Sequence, residues 1–234
     1  MSKYNWDWSI LGEAPYLGWL VTGAELTIAL SLCMWAVAFI FGSLIGVIAT
    51  SRNPLLRAVA TFYIGILRNI PPIVQLFVWF FVVPELLPFS WGTFIKRDLS
   101  YGPFWTSVVA LGLFLSARIA EHLRAGLDSV PSSLVNASLA TGLRVAQTYR
   151  YVRLPIAYRK MLPTLTSEFL VCFKMSAISM TIGVAEISAQ SYQIESYTYH
   201  GIEAFTAATI FYLCFSTVVV ALSSMIEKRG ALSK

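Results

Sequence analysis

The chain has 234 residues, 57% of them hydrophobic and only 12% charged. An ordinary soluble domain is nearer a quarter charged, so the composition points to an integral membrane protein whose length is counted in spans. The formal net charge of +5 raises nucleic acid as a partner. The placement of the basic residues along the chain turns it into an orientation signal instead, and no nucleic-acid binding is expected.

Residues 1–16, MSKYNWDWSILGEAPY, lack the basic start, apolar core and small-residue cleavage site of a signal peptide. Residues 1–21 read as an outer arm and interfacial lead-in, with Tyr4, Trp6 and Trp8 suited to an aromatic belt. Five apolar segments follow, each long enough to cross about 30 Å of hydrocarbon. They run roughly over 22–50, 58–83, 103–123, 165–190 and 204–226. Pro71 and Pro72 predict a kink or break in the second. Cys33, Cys172 and Cys214 lie far apart in apolar stretches without metal-ligand spacing, so neither a metal site nor a disulfide is expected.

The connections carry the orientation. Arg52, Arg57, Arg124, Arg144, Arg150, Arg153, Arg159, Lys160, Lys228, Arg229 and Lys234 fall on one side of the spans, against Lys3, Lys96 and Arg97 on the other. The excess of Lys and Arg makes the first side cytoplasmic. The N-terminus is then outside and the tail at 227–234 inside. Residues 51–57 form a tight inner turn, and 84–102 and 191–203 form outer loops. Residues 124–164 make the one long inner connection and the main surface for a soluble partner.

Within that connection Ser132 or Ser133 is placed to N-cap a short helix from about 134 to 141. Gly142 is suited to a left-handed stop. A second helical run, Val145 to Val152, is expected to end before Leu154-Pro155, because the residue before proline avoids the α region. The result is a helix, a sharp bend and another helix lying along the membrane surface, either a docking finger or a plain connector.

Three cations fall inside the spans: Arg68, Arg118 and Lys174. All lie within about 8 Å of the midplane at 1.5 Å rise per residue. A charge at that depth needs a partner. Glu121 and Glu168 are candidates, Glu121 lying one helical turn from Arg118, whereas Lys174 has no acidic residue at helical spacing. Two readings stand side by side. In one, the cations form a midplane site for an anionic solute, since a guanidinium holds a carboxylate through two parallel bonds. In the other, Arg118 pairs with Glu121 or snorkels inward. Gln75, after the proline pair, is placed to bond either freed carbonyls or the solute. Ser176 and Ser179 either contact solute or bond back to their own helix. Glu25 reads as a solvated helix-end charge, and His122 and His200 as surface residues without partners.

The segment Asn136-Ala137-Ser138, Gly142, Val152, Leu154-Pro155 has the spacing of the Glu-Ala-Ala loop of ABC importer permeases, with Asn in place of Glu and Ser in place of the second Ala. RNIPPIVQLF (68–77), IAEHLRAGLDSVP (119–131), TIGVAEI (181–187) and IEKR (226–229) resemble the polar amino acid branch, in order and spacing, over about 17–229. SARIAE around Arg118 is similar to the glutamate/aspartate branch. The resemblance implies an all-α integral membrane protein of five transmembrane helices with the type I ABC importer permease fold, in a bacterial inner membrane. It implies a permease domain at 22–226, in which Asn136, Ala137, Ser138, Gly142, Leu154 and Pro155 belong to an ATPase-coupling helix. Arg68 and Lys174 stand at positions commonly basic in the family. Acidic amino acids are the favoured cargo, with another polar amino acid (glutamine, histidine, arginine) next.

The implied partners are ABC ATPase subunits, a second permease chain (a like or a related one), an extracytoplasmic solute-binding protein and the lipid bilayer. The chain has no Gly-x-x-x-x-Gly-Lys-[Ser/Thr] loop, so no cofactor is expected in it, and ATP with Mg belongs to the partner ATPase. It also lacks HExxH, GxSxG and paired intramembrane aspartates, so it is not expected to be an enzyme. A transporter driven by an ion gradient is the distant alternative.

Overall fold

A computed structural model describes residues 4–231, with side chains described as far as Met225. Lys3, Lys234 and the side chains of the closing Ile226-Glu227-Lys228-Arg229 stretch lie outside the described residues. The described chain is helical. The elements are α1 (Tyr16–Ala49), α2 (Pro54–Asn69), α3 (Pro72–Leu86), α4 (Phe89–Thr93), α5 (Gly102–Asp128), α6 (Ser132–Ala140), α7 (Val145–Ile182), α8 (Ile187–Thr198) and α9 (Gly201–Ala231). Two compact units divide these helices. One holds Met1–Met34, Pro72–Leu111 and Leu170–Val219; the other holds Trp35–Pro71, Gly112–Phe169 and Val220–Lys234.

Four helices, α1, α5, α7 and α9, are long and apolar enough to cross a membrane, and α2 with α3 makes a fifth if the broken pair counts as one span. The break falls where the proline pair predicts it, with Ile70 extended (φ −97°, ψ 129°) between the two pieces. α2 opens on Asn53, whose side-chain oxygen accepts the Leu55 N–H at 2.9 Å, and on Pro54, which has no N–H to orphan. Arg68 therefore sits in the last turn of α2, beside the break.

In the first unit the chain is irregular at depth. The last turn of α7, Ser176–Ile182, tightens into a 3-10 helix and stops at Gly183, whose φ of +91° only glycine adopts freely. Glu186, fully buried, then N-caps α8 by accepting the Ala189 N–H at 2.9 Å and takes a further bond from the Tyr212 hydroxyl at 3.0 Å. Thr27 of α1 receives the Ile187 N–H at 3.1 Å. Each backbone group freed by the broken helix needs such a partner in the absence of water. At the start of α9, buried Glu203 accepts bonds from the Tyr4 hydroxyl and the Asp7 N–H, which ties the N-terminal arm down. The Ser9 hydroxyl and N–H hold the Asp7 carboxyl below its usual range.

In the second unit α1 and α5 approach closely at two glycines four residues apart. A Cβ at Gly42 falls 2.7 Å from the Ile119 Cβ, and one at Gly46 falls 2.9 Å from the Ala120 carbonyl oxygen. Small residues at this spacing let helix backbones meet in lipid, where packing replaces the hydrophobic drive. Gly46→Val is expected to cost about 1–3 kcal/mol through overpacking, read as a lowered unfolding midpoint in detergent; an unchanged midpoint contradicts the close approach.

The finger differs from expectation in two ways. α6 begins at Ser132 with Pro131 as its N-cap, and no serine side chain caps it; Pro131 fixes the extended entry by itself, which leaves Ser132 inside the first turn. The second run does not end before Leu154-Pro155. A wide π-turn at Tyr149–Arg153 precedes the proline, and widening removes the clash between its ring and the carbonyl four residues earlier. The helix therefore continues through Pro155 to Ile182, in place of a segment beginning near residue 165.

Candidate functional site

The second unit gathers a charged cluster on α2, α5 and α7. Arg118 Nε donates to Glu168 Oε2 at 2.7 Å and Nη2 to Oε1 at 2.8 Å. His122, one turn further along α5, contacts Oε1 through Nε2 at 3.0 Å. Glu168 is almost fully buried at 5% side-chain exposure, whereas Arg118 keeps 37%. Glu121 bonds Arg124 Nη2 at 2.6 Å and lies 3.9 Å from Arg68 Nη1. Arg124 Nη1 also reaches Asp128 at 3.7 Å.

This arrangement corrects the pairing expected from helical spacing. Arg118 pairs across helices with Glu168, not locally with Glu121. Glu121 pairs forward with Arg124, the favoured order in which the acid precedes the base along a helix. Of the three cations inside the spans, Arg68 and Arg118 meet Glu121 and Glu168, whereas Lys174 meets no carboxylate among the described residues. The histidines are not free of partners: His122 has Glu168, and His200 Nδ1 lies 3.5 Å from Glu203. A single sequence shows charges at helical spacing but not those fifty positions apart.

The pairing leaves chemistry available. A guanidinium has five N–H bonds, and Glu168 uses the Nε–Nη2 side of Arg118. Both Nη1 hydrogens and one on Nη2 remain, forming the end edge that fits a second carboxylate. Arg68 is 47% exposed, and its one ion pair among the described residues is the long contact to Glu121.

The remaining predicted solute residues lie in the first unit. Gln75 is buried on α3, which packs against the 3-10 turn carrying Ser176. Ser176 is buried and donates to the Phe173 carbonyl at 2.7 Å, which is the back-bonding alternative. Lys174 is exposed and pairs with no carboxylate among the described residues.

The finger, α6 and the start of α7, belongs to the second unit. Gly142 adopts φ +91°, and its N–H reaches the Leu139 carbonyl while the Leu143 N–H reaches that of Ser138, at 3.0 and 3.2 Å. These are the paired bonds of a Schellman stop. Ser138, buried, donates to Thr148 Oγ1 at 3.1 Å and so joins the two arms of the bend. Tyr149 donates to Thr50 at 3.1 Å, tying the finger to the end of α1. Asn136 and Ala137 are exposed on the far side of α6. Loss of the Tyr149 hydroxyl in Tyr149→Phe is expected to cost about 1 kcal/mol at this anchor, visible as faster hydrogen exchange at residues 143–150; unchanged exchange contradicts the tie.

A family of proteins described as the binding-protein-dependent transport system inner membrane component matches residues 38–230. The chain is 40% identical to the glutamate/aspartate import permease protein GltJ of Escherichia coli (strain K12), over 97% of this chain and 96% of that one. It is 31% identical to the glutamine transport system permease protein GlnP of Escherichia coli (strain K12), over 96% and 98%. Its fold is similar to that in the crystal structure of an amino acid ABC transporter with histidines, with a TM-score of 0.81, 27% identity and coverage of 97% and 100%.

Proposed function

The chain belongs to the family of binding-protein-dependent transport system inner membrane components, and from that premise we propose that it passes acidic amino acids through a bacterial inner membrane past Arg118. It is an ABC importer permease with the type I fold, and family membership implies ATPase and binding-protein partners. The cargo reading is supported by the 40% identity to a glutamate/aspartate permease and by the end edge of Arg118, which Glu168 leaves unused. That edge is the single observation carrying it. Glu168 locks the guanidinium in one orientation, so a solute carboxylate meets a preset pair of donors and little ordering entropy is lost. Arg68, in the same unit as Arg118, supplies further positive charge for the solute.

In this reading the basic side of the membrane is the inner side, the N-terminus is outside and the tail is inside. A second permease chain, like or related, completes the path. ATPase chains holding ATP and Mg dock on α6 through Asn136 and Ala137, while buried Ser138 holds the two arms of the bend together behind them. The bend at Gly142 and the rigid run through Leu154 and Pro155 transmit the closure of the ATPases to α7. The experiment is a radiolabelled uptake panel with the complex in proteoliposomes. Glutamate and aspartate are expected to enter only with ATP inside and to outrun glutamine, histidine and arginine. Preferred uptake of a neutral or basic amino acid contradicts the cargo, and uptake that survives ATP depletion contradicts the machinery.

A further inference from the structure

A cleft of about 560 Å³ opens in the second unit between the end of α1, the start of α2 and the finger. Its floor is apolar, including Ile48, Leu56 and Leu139, and its walls carry Arg52, Arg150 and Arg153. Among the described residues no carboxylate lines it. The guanidinium of Arg153 stacks on the Tyr149 ring at 4.4 Å and donates to the Leu127 carbonyl at 3.1 Å, while its buried Nε has no hydrogen-bond partner among the described residues. Arg52 and Arg150 are exposed.

We propose that this cleft binds one anionic phospholipid, with the phosphate between the arginines and the first part of an acyl chain on the apolar floor. Three arguments favour that occupant. The cleft lies at the end of the membrane-crossing helix α1, at the depth where headgroups meet water. Three guanidiniums without a carboxylate attract a phosphate diester, and basic pockets beside membrane helices take such headgroups. A small soluble anion leaves the apolar floor uncovered, whereas a phospholipid covers it. The face is also separate from the proposed ATPase contact. Val135 and Leu139 of α6 turn into the cleft, whereas Asn136, Ala137 and Ala140 occupy the opposite, exposed side, as a period of 3.6 residues requires. The lipid thus braces the finger from behind.

Native mass spectrometry of the full chain, released from nanodiscs of phosphatidylglycerol and phosphatidylcholine in equal amounts, tests this. The chain is expected to keep a single phosphatidylglycerol, preferred roughly tenfold over phosphatidylcholine. Arg52→Gln/Arg150→Gln, confined to exposed side chains, is expected to bring that ratio near one. Leu139→Asp, which places a charge on the floor and leaves the arginines intact, is expected to abolish retention. Equal retention of the two lipids by the unaltered chain overturns the proposal. So does displacement of the lipid by millimolar inorganic phosphate, which marks a free-anion site. Loss of the lipid when the ATPase chains bind also overturns it, because the cleft is then part of their interface.

Discussion

Glu168→Ala is expected to damage the protein more than any other single change in the charged cluster. It leaves the Arg118 guanidinium and His122 facing an empty buried position. Removing one partner of a buried pair costs about 3–5 kcal/mol, and the 37% exposure of Arg118 moves the expected loss to about 2–4 kcal/mol. The readout is the unfolding midpoint in detergent with the yield of assembled complex. Glu168→Leu combined with Arg118→Met removes both charges and is expected to recover most of that stability, since an apolar pair is often no worse than an ionic one. The double variant is expected to assemble and hydrolyse ATP without favouring acidic amino acids. If the single and double variants are equally stable, the pair is not a unit, and Glu168 does not hold Arg118.

Gly142→Val is expected to uncouple ATP hydrolysis from transport. A Cβ at this position meets nothing within 4 Å, so the penalty is purely one of backbone conformation. Holding an L-residue at φ +91° costs about 1–2 kcal/mol, and a β-branched side chain adds to it. That penalty disfavours the Schellman stop and the bend joining α6 to α7, and corresponds to a shift of about five- to thirty-fold in the bent population. Uptake per ATP hydrolysed is expected to fall in proportion. Gly142→Asn is expected to stay close to the unaltered protein, because asparagine tolerates the left-handed region. A valine variant that docks the ATPase and transports normally shows that the bend plays no part.

Much of this architecture is legible in the residues. The apolar segments mark where the helices lie, Pro71-Pro72 marks the break, and Gly142 marks the left-handed stop. These features are local: each is decided by the chemistry of a few adjacent residues. What is hidden depends on other elements or on small adjustments of the turn. The π-turn at Tyr149–Arg153 that carries the helix through Pro155 has no residue signature. The Ser138–Thr148 bond and the Gly42 and Gly46 contacts with α5 depend on how elements pack. The charged cluster shows the same division. Arg118 stands out as a cation in an apolar run, and the acids able to pair with it are few. Choosing Glu168 over Glu121 needs the packing of α5 against α7, together with the stronger local claim of Arg124 on Glu121. His122 gives no signal at all, because its partner is the same distant carboxylate.

The most direct measurement is ATP-driven uptake of glutamate against glutamine by the reconstituted complex carrying Arg118→Gln. The two solutes have nearly the same shape and differ by one charge. The unused edge of the guanidinium predicts that the glutamate-to-glutamine ratio falls by roughly ten- to a hundredfold while glutamine entry and ATP hydrolysis continue. An unchanged ratio in an assembled, ATP-hydrolysing complex would mean that Arg118 serves Glu168 alone and that the acidic solute is chosen elsewhere.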